Sequence, residues 1–416
     1  MIGPIAKSTF STSLVLGMRL LVQASTLLIV ARLLGPQQFG SFAGVAALAL
    51  VFGSLSAFGT HVVVLRDVSI DPKYRYIVFR YAVPTVFVFG GALFFAYLLI
   101  SVNLFLENGI TLPVLLLIGI SEILIQPLFS LPAAEHLALG RTARSQMLGS
   151  LPPVLRFGVV IIIMLVQPDD VLSMYSYGYL LAALLALLIA SALMPAPWPH
   201  PRTWRLPRKA EIRAASGYAV LSGTAAGPSE LDKTLAAKLL PSEPAGLYAV
   251  ATRIISAATL PIVAMMLSSL PRLFRGDHGQ RKATNNLLQW IFITALFYSL
   301  GLSLCLWFSA PVFPWLLGSQ FNDIEFMITW LIVSVPGLAL RTAAGSALMA
   351  LGKPWIRAGF EFAGLFVLLI MSVVLIHHYG VVGMPLALAF SEWIMVFLGW
   401  GLILRDRGIG ESTSSG

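Results

Sequence analysis

Residues 31–43 read ARLLGPQQFGSFA, and residues 237–249 read AKLLPSEPAGLYA. Five of the thirteen aligned positions are identical, and three more exchange residues of similar chemistry. The second stretch follows the first by 206 positions in a chain of 416 residues, which is about half its length. This echo indicates two related halves, and duplication of a membrane unit underlies many transporter folds.

The composition points to a membrane protein, because 58% of the residues are hydrophobic, only 11% are charged and the mean hydropathy is +0.87. A water-soluble core of this size cannot hide so much apolar surface. Residues 180–193 show no alternation of the kind that barrel strands need, so the spans are helices. The predicted fold class is therefore all-α and polytopic. The twelve predicted spans are 13–34, 39–59, 77–102, 110–132, 146–167, 171–194, 214–240, 246–270, 287–311, 324–350, 356–378 and 381–404.

Basic residues in the loops predict the orientation of the chain. Twenty of the 27 lysines and arginines fall in alternate loops on one side, and positive charge resists translocation. Both termini are therefore expected in the cytoplasm. The span at 214–240 is the least apolar, but the basic loops before it and after the next span require an even number of crossings between them.

Six spans in each half predict a parallel repeat about an axis along the membrane normal. A second echo supports it, since ALGR at 138–141 returns as ALGK at 350–353. The predicted domains are a six-helix lobe at 1–194, a basic proline-rich cytoplasmic linker at 195–213, and a six-helix lobe with a short tail at 214–416.

The opening span that ends in ARLLGP, the following Phe39-Gly40 and a span of small residues resemble a known family. It is the polysaccharide transporter branch of the multidrug/oligosaccharidyl-lipid/polysaccharide (MOP) exporter superfamily, the O-antigen and exopolysaccharide repeat-unit flippases. The resemblance implies two six-helix lobes around a central cavity in the bacterial inner membrane. It also implies that an undecaprenyl-pyrophosphate-linked oligosaccharide moves outward by alternating access, with membrane lipids and other polysaccharide assembly proteins as partners.

Five basic residues lie well inside the predicted spans, away from the span ends, where an isolated charge costs at least about 2.5 kcal/mol. Guanidinium groups grip phosphate oxygens in pairs, so these residues are candidates for binding a diphosphate headgroup. Snorkelling of the long side chains to the membrane surface remains the alternative for those near a boundary. The candidates are Arg19, Arg156, Lys233, Arg253 and Arg341.

Acidic residues within the spans have two open interpretations. Glu122, Glu230 and Glu392 are expected either to carry a coupling ion or to pair with a basic residue such as Arg156. Tyr248 is one candidate for a contact with sugar.

The chain has no glycine-rich phosphate loop, and we expect neither ATP, nor a cofactor, nor a metal, nor a nucleic acid as partner. A drug or metabolite antiporter coupled to cations and built on the same fold is one alternative function. A membrane-embedded polysaccharide polymerase or ligase is another, but the longest outward loop is only about a dozen residues. The protein is therefore not expected to be an enzyme.

Overall fold

The computed structural model describes residues 4–106, 109–262, 265–266, 281–351 and 353–412. The secondary structure of these residues is helical, with no strands among them, as the sequence predicts. By its internal contacts the chain divides into two compact units, Met1–Ala226 and Gly227–Gly416. The boundary falls inside a helix, and the predicted division at 194 and 213 remains a prediction.

The first unit is built from helices that are mostly long enough to cross a bilayer. They are α1 (Pro4–Ser56), α2 (Thr60–Ile70), α3 (Tyr74–Phe105), α4 (Leu112–Gly119), α5 (Gln126–Ala138), α6 (Thr142–Val166), α7 (Val171–Ala192) and the first half of α8 (Lys209–Leu239). A π-helical turn, Ile120–Ile125, joins α4 to α5 without interrupting the helical rod.

Among the described residues, the second unit contains the rest of α8 and several further helices. They are α9 (Ser242–Ala258), α10 (Arg281–Ser309), α11 (Val312–Leu317), α12 (Ile324–Leu331), α13 (Ser334–Ala350), α14 (Pro354–Tyr379) and α15 (Gly383–Ser412). Helices α14 and α15 form an antiparallel hairpin. A short turn at Gly380–Val382 joins them, and Ser391 of α15 donates a hydrogen bond to the carbonyl of Gly364 of α14.

Eight helices among the described residues are long and apolar enough to cross a membrane, or nine if the pair α12 and α13, bent by 49°, counts as one span. Two of the eight each contain two predicted spans. One is α1, whose backbone is non-helical at Gly35, and the other runs through α14 and α15, which are divided at Gly380. Helix α8 is not among them, since it carries Glu230, Asp232 and Lys233. Each of the twelve predicted spans thus overlaps a helix. The end of the predicted span at 246–270 lies outside the described residues.

The second echo has the same backbone geometry in both units. Helices α5 and α13 each end in a turn in which an amide donates back to the carbonyl five residues earlier. In the first unit this bond runs from Arg141 N to His136 O, and in the second from Lys353 N to Leu348 O, both at 2.9 Å. The two bonds are offset by 212 residues, which is the offset of the echo itself, so equivalent residues form equivalent turns.

Close helix contacts hold the first unit together. A Cβ atom at Gly53 on α1 would lie 2.3 Å from the carbonyl oxygen of Glu122, so only glycine lets α1 approach the π-helical turn this closely. Such contacts through small residues are the main source of helix association in lipid, where the hydrophobic effect is weak. The turn that holds Glu122 is thereby fixed against α1.

Candidate functional site

The first unit contains a buried charge cluster centred on Glu122. One guanidinium nitrogen of Arg156 on α6 lies 2.7 Å from Glu122 Oε1, and the Tyr179 hydroxyl on α7 donates to the same oxygen at 2.5 Å. The side chain of Glu122 is 2% exposed and that of Arg156 is 19% exposed. A carboxylate this deeply buried requires such partners, because an unpaired charge in an apolar medium is very costly.

Aromatic rings surround the guanidinium of Arg156. Its central carbon lies 3.6 Å from the centroid of the Tyr179 ring, which is close enough for a strong cation–π contact. Phe42 on α1 contacts both Tyr175 and Tyr179 edge to face. The buried Nε of Arg156 has no hydrogen-bond partner among the described residues, so this side chain keeps one unused donor.

The position of Glu122 depends on a π-helical turn that sequence periodicity did not predict. In this turn Gln126 N donates to Ser121 O, a bond that spans five residues instead of four. The extra residue changes the face on which the following side chains lie, and such turns are frequent at functional sites. Glu122 therefore projects from a local irregularity that α1 clamps in place.

A second charge pair lies in the other unit, between α13 and α15. Arg341 Nε donates to Glu392 Oε2 at 2.7 Å, and the two side chains are 9% and 1% exposed. Both residues fall in predicted spans. The pair is thus removed from water, and neither charge can lose its partner cheaply.

Helices α8 and α9 supply a third group of charges. Lys233 Nζ contacts Asp232 Oδ1 at 3.0 Å, and the Tyr248 hydroxyl donates to the other oxygen of Asp232 at 3.0 Å. Arg253 grips Glu230 with two nitrogens, at 3.1 and 2.8 Å, in the bidentate geometry that favours carboxylate recognition. The two sets meet at Lys233, whose Nζ lies 3.7 Å from Glu230 Oε2.

A cavity of about 40 Å³ adjoins these groups within the second unit. Its charged lining comes from Asp232, Lys233 and Glu392. Thr252 and Ser334 add hydroxyl groups, and leucines close the remaining wall. A polar space of this size accommodates about three water molecules. Two carboxylates therefore line one small polar cavity.

Arg19 on α1 differs from the other four basic candidates. Its guanidinium lies near Gly149 on α6, where an added Cβ would be 3.3 Å from Nη1. No carboxylate partner of Arg19 is found in the part of the chain that the structure describes. Arg19 and Arg156 both belong to the first unit.

The other candidates divide between the units in pairs, and Glu122 with Arg156 is the pair that the sequence analysis gave as one of two interpretations. Arg156 lies with Glu122, Arg341 with Glu392, and Lys233 and Arg253 with Glu230. Four of the five basic candidates thus face a carboxylate, so their clusters are close to neutral instead of strongly cationic.

Sequence reasoning missed Asp232 and Tyr179 as members of these clusters. The sugar contact expected at Tyr248 stays a prediction; in this structure that side chain is fully buried and its hydroxyl donates to Asp232. One signal was available: Tyr248 is the counterpart of Phe42 in the echo, and Phe42 packs against Tyr179 in the first cluster.

Long apolar helices define a polytopic membrane protein, and solved structures of transporters share its fold. An inward-facing multidrug resistance MATE family transporter of the MOP superfamily aligns with a TM-score of 0.75 at 14% identity, covering 95% of this chain and 96% of that chain. The lipid II flippase MurJ in an inward closed conformation gives 0.73 at 12% identity, covering 94% and 87%. A MOP superfamily transporter from Pyrococcus furiosus gives 0.61 at 13% identity, covering 92% and 95%.

The chain belongs to the family of polysaccharide biosynthesis proteins, whose family model matches residues 29–326. No curated protein sequence matches it. The resemblance that the opening residues suggested is therefore confirmed at the level of the family, and the fold of MOP superfamily transporters is confirmed with it. The folds that it shares belong to transporters and flippases and not to enzymes.

Proposed function

We propose that this protein is a flippase that moves an undecaprenyl-pyrophosphate-linked oligosaccharide from the cytoplasmic to the outer face of the bacterial inner membrane by alternating access. The observation that carries the proposal is a polysaccharide biosynthesis family match over residues 29–326 on a fold similar to that of a lipid II flippase. Both termini lie in the cytoplasm in this proposal, in agreement with the distribution of basic loop residues.

The paired basic residues can bind a phosphorylated cargo if a phosphate of the cargo replaces the carboxylate beside each of them. Leaving a buried arginine unpaired costs about 3 to 5 kcal/mol, so an empty site needs an internal anion beside it. Glu122 and Glu392 fill that role for Arg156 and Arg341 in the structure. A diphosphate that approaches Arg156 also finds its unused Nε donor. Binding then replaces the carboxylate by a phosphate oxygen without creating a bare charge.

The displaced carboxylates are proposed to couple transport to an ion gradient. When a phosphate takes the arginine, Glu122 or Glu392 is left in an apolar setting and gains by taking up a proton or a cation. Glu230 plays the same part beside Lys233 and Arg253. Arg19 is proposed as a further phosphate contact, because no carboxylate competes for it among the described residues.

A cation-coupled antiporter for drugs or metabolites is the second candidate. The observation that favours it is the small cavity of the second unit, into which Asp232 and Glu392 both face. Carboxylates beside a small polar cavity suit a cationic ligand as well as a coupling ion. A polymerase or ligase acting on the same lipid-linked sugars is the remaining alternative.

Reconstituted vesicles separate these functions. The purified protein is placed in liposomes with a fluorescent polyprenyl-diphosphate oligosaccharide, and a membrane-impermeant quencher measures the fraction that crosses the bilayer. We expect protein-dependent crossing for the wild type, strong loss for Arg156→Ala, and no loss for Arg144→Ala on the exposed loop side of α6.

Two other outcomes decide against the flippase, and a third decides only against its phosphate contacts. Uptake of a cationic dye without movement of the lipid supports the antiporter. Longer glycan chains on the lipid, measured by mass spectrometry, support the polymerase. Wild-type crossing by all five alanine variants of the basic candidates would remove the proposed phosphate contacts while leaving the flippase itself intact.

A further inference from the structure

The segment that follows α7 is hydrogen-bonded to α3 of the same unit. We call residues 194–208 the strap. A guanidinium nitrogen of Arg75 donates to the carbonyl of Ala196 at 2.6 Å, and Arg80 Nε donates to the carbonyl of Thr203 at 2.7 Å. The strap therefore lies against the first two turns of α3.

The carboxylates near the strap are already engaged. Glu135 is fully buried, and one of its oxygens accepts from Arg75 Nε at 2.5 Å. Glu211 accepts two hydrogen bonds from the guanidinium of Arg205, at 2.8 and 2.5 Å. These ion pairs hold the strap in position, and the side chain of Asp71 accepts a hydrogen bond from the backbone N of Lys73 at 2.9 Å.

Several basic side chains on this surface remain exposed. Lys73 precedes α3, Arg202 and Arg208 lie on the strap, and Lys209 and Arg213 begin α8. None of the five has an ion pair within the described part of the chain. Because the strap is bonded to α3, its arginines are held close to the start of that helix. The result is a positively charged rim.

An apolar helix face continues from this rim. Tyr76, Ile77 and Phe87 are 47%, 48% and 47% exposed, and their spacing places them on one side of α3. Trp204 of the strap lies against Phe87, with ring centroids 6.0 Å apart. Leu206 of the strap is 64% exposed. Tryptophan beside cations and exposed apolar side chains is typical of a membrane–water interface.

We propose that the strap and the start of α3 form a binding surface for an anionic phospholipid. The lipid headgroup contacts Arg202 and Arg208, and its acyl chains lie along Tyr76, Ile77 and Phe87. Charge complementarity favours an anionic lipid over a zwitterionic one, and each basic residue near a membrane surface adds about 1 kcal/mol to such binding, a factor of about five. This binding does not require transport.

The test measures lipid binding to the purified full chain in detergent by native mass spectrometry. Phosphatidylglycerol is compared with phosphatidylcholine of the same acyl chains. The strap variant is Arg202→Gln/Arg208→Gln. The control is Arg141→Gln/Arg144→Gln, which removes two exposed charges from the turn between α5 and α6, on the same predicted side of the membrane.

We expect the wild type to prefer phosphatidylglycerol, the strap variant to bind it about 30-fold more weakly, and the control to retain it. Equal losses in both variants would overturn the proposal, since any cytoplasmic charge would then serve. Unchanged binding in the strap variant would also overturn it. Displacement of the lipid by millimolar inorganic diphosphate would show a general phosphate site and contradict the assignment to phospholipid. None of these results depends on whether the protein is a flippase.

Discussion

Removing one partner of the buried pair Arg341–Glu392 should destabilise the protein far more than removing both. Arg341 Nε lies 2.7 Å from Glu392 Oε2, and the two side chains are 9% and 1% exposed. Two charges about 4 Å apart attract by about 4 kcal/mol at an effective dielectric constant of about 20. Breaking such a pair typically costs about 3 to 5 kcal/mol because the remaining charge is stranded. We therefore expect about this loss of unfolding free energy for Glu392→Leu.

The double variant Arg341→Met/Glu392→Leu should recover most of that loss, because replacing a buried pair by apolar side chains of similar volume is often neutral. Unfolding in mixed micelles by titration with a denaturing detergent, followed by circular dichroism, gives the four free energies of the cycle. The exposed pair Arg66–Asp67, whose side chains are 44% and 25% exposed, is the control and should couple by less than about 1 kcal/mol.

The same variants separate a structural role from a transport role. If the double variant of Arg341 and Glu392 is stable but does not flip lipid, the pair acts on the cargo or the coupling ion. If it is stable and active, the pair serves folding alone. A coupling energy as small as that of the surface pair would refute the claim that burial makes these charges interdependent.

Three further predictions concern the first unit. Gly53→Ala should lower stability in micelles by about 1 to 3 kcal/mol through overpacking against the π-helical turn, whereas Gly91→Ala, with no atom within 4 Å, should not. Arg156→Lys should keep the fold but reduce flipping, since an ammonium lacks the planar face that stacks on tyrosine. Acid should loosen the strap: the hydrogen bond from Arg205 lowers the pKa of Glu211, so the stabilisation is present above the ordinary glutamate pKa and is lost as the pH falls below about 4. Hydrogen–deuterium exchange of the strap, corrected for intrinsic rates, measures this.

Each of the three predictions has an outcome that contradicts it. Equal stability of the two glycine variants would mean that α1 moves aside freely. Full activity of Arg156→Lys would mean that charge alone matters there. For the strap, Glu211→Gln at neutral pH should reproduce the effect of acid, whereas Glu243→Gln, at an exposed position, should not. Unchanged exchange in both glutamine variants would show that the ion pair does not hold the strap.

The architecture was largely readable from the sequence because hydropathy and length report directly on the bilayer. The echo also located its turns correctly, since Gly35 and Pro241 occupy equivalent positions and each lies at a break between helices. Helix irregularities were not readable. The π-helical turn at Ile120–Ile125 depends on packing against Gly53 of a distant segment, and periodicity within the turn carries no trace of that contact.

The sequence identified the charged residues of the clusters more easily than it identified which residue pairs with which. Burial alone singles out Arg156 or Arg341 in an apolar span, because a charge there is costly wherever it points. Pairing of Glu122 with Arg156 was one of two interpretations, whereas the partner of Arg341 was left open, because choosing it requires the relative rotation of two helices, which a single sequence does not contain. Tyr179 was missed because an aromatic residue in an apolar helix has no distinguishing pattern.

The equivalent turns at Arg141 and Lys353 carry a consequence for the origin and engineering of the chain. The position equivalent to Glu122, 212 residues later, is Ser334, and the position equivalent to Asp232, 206 residues earlier, is Thr26. The two halves therefore share these turns but carry their buried carboxylates at different positions. A tandem copy of the first half would retain both turns and lose Asp232 and Glu392, the two carboxylates that line the cavity. The two halves have ceased to be interchangeable, and recombination that replaces the second half by the first would delete the charge clusters of the second unit.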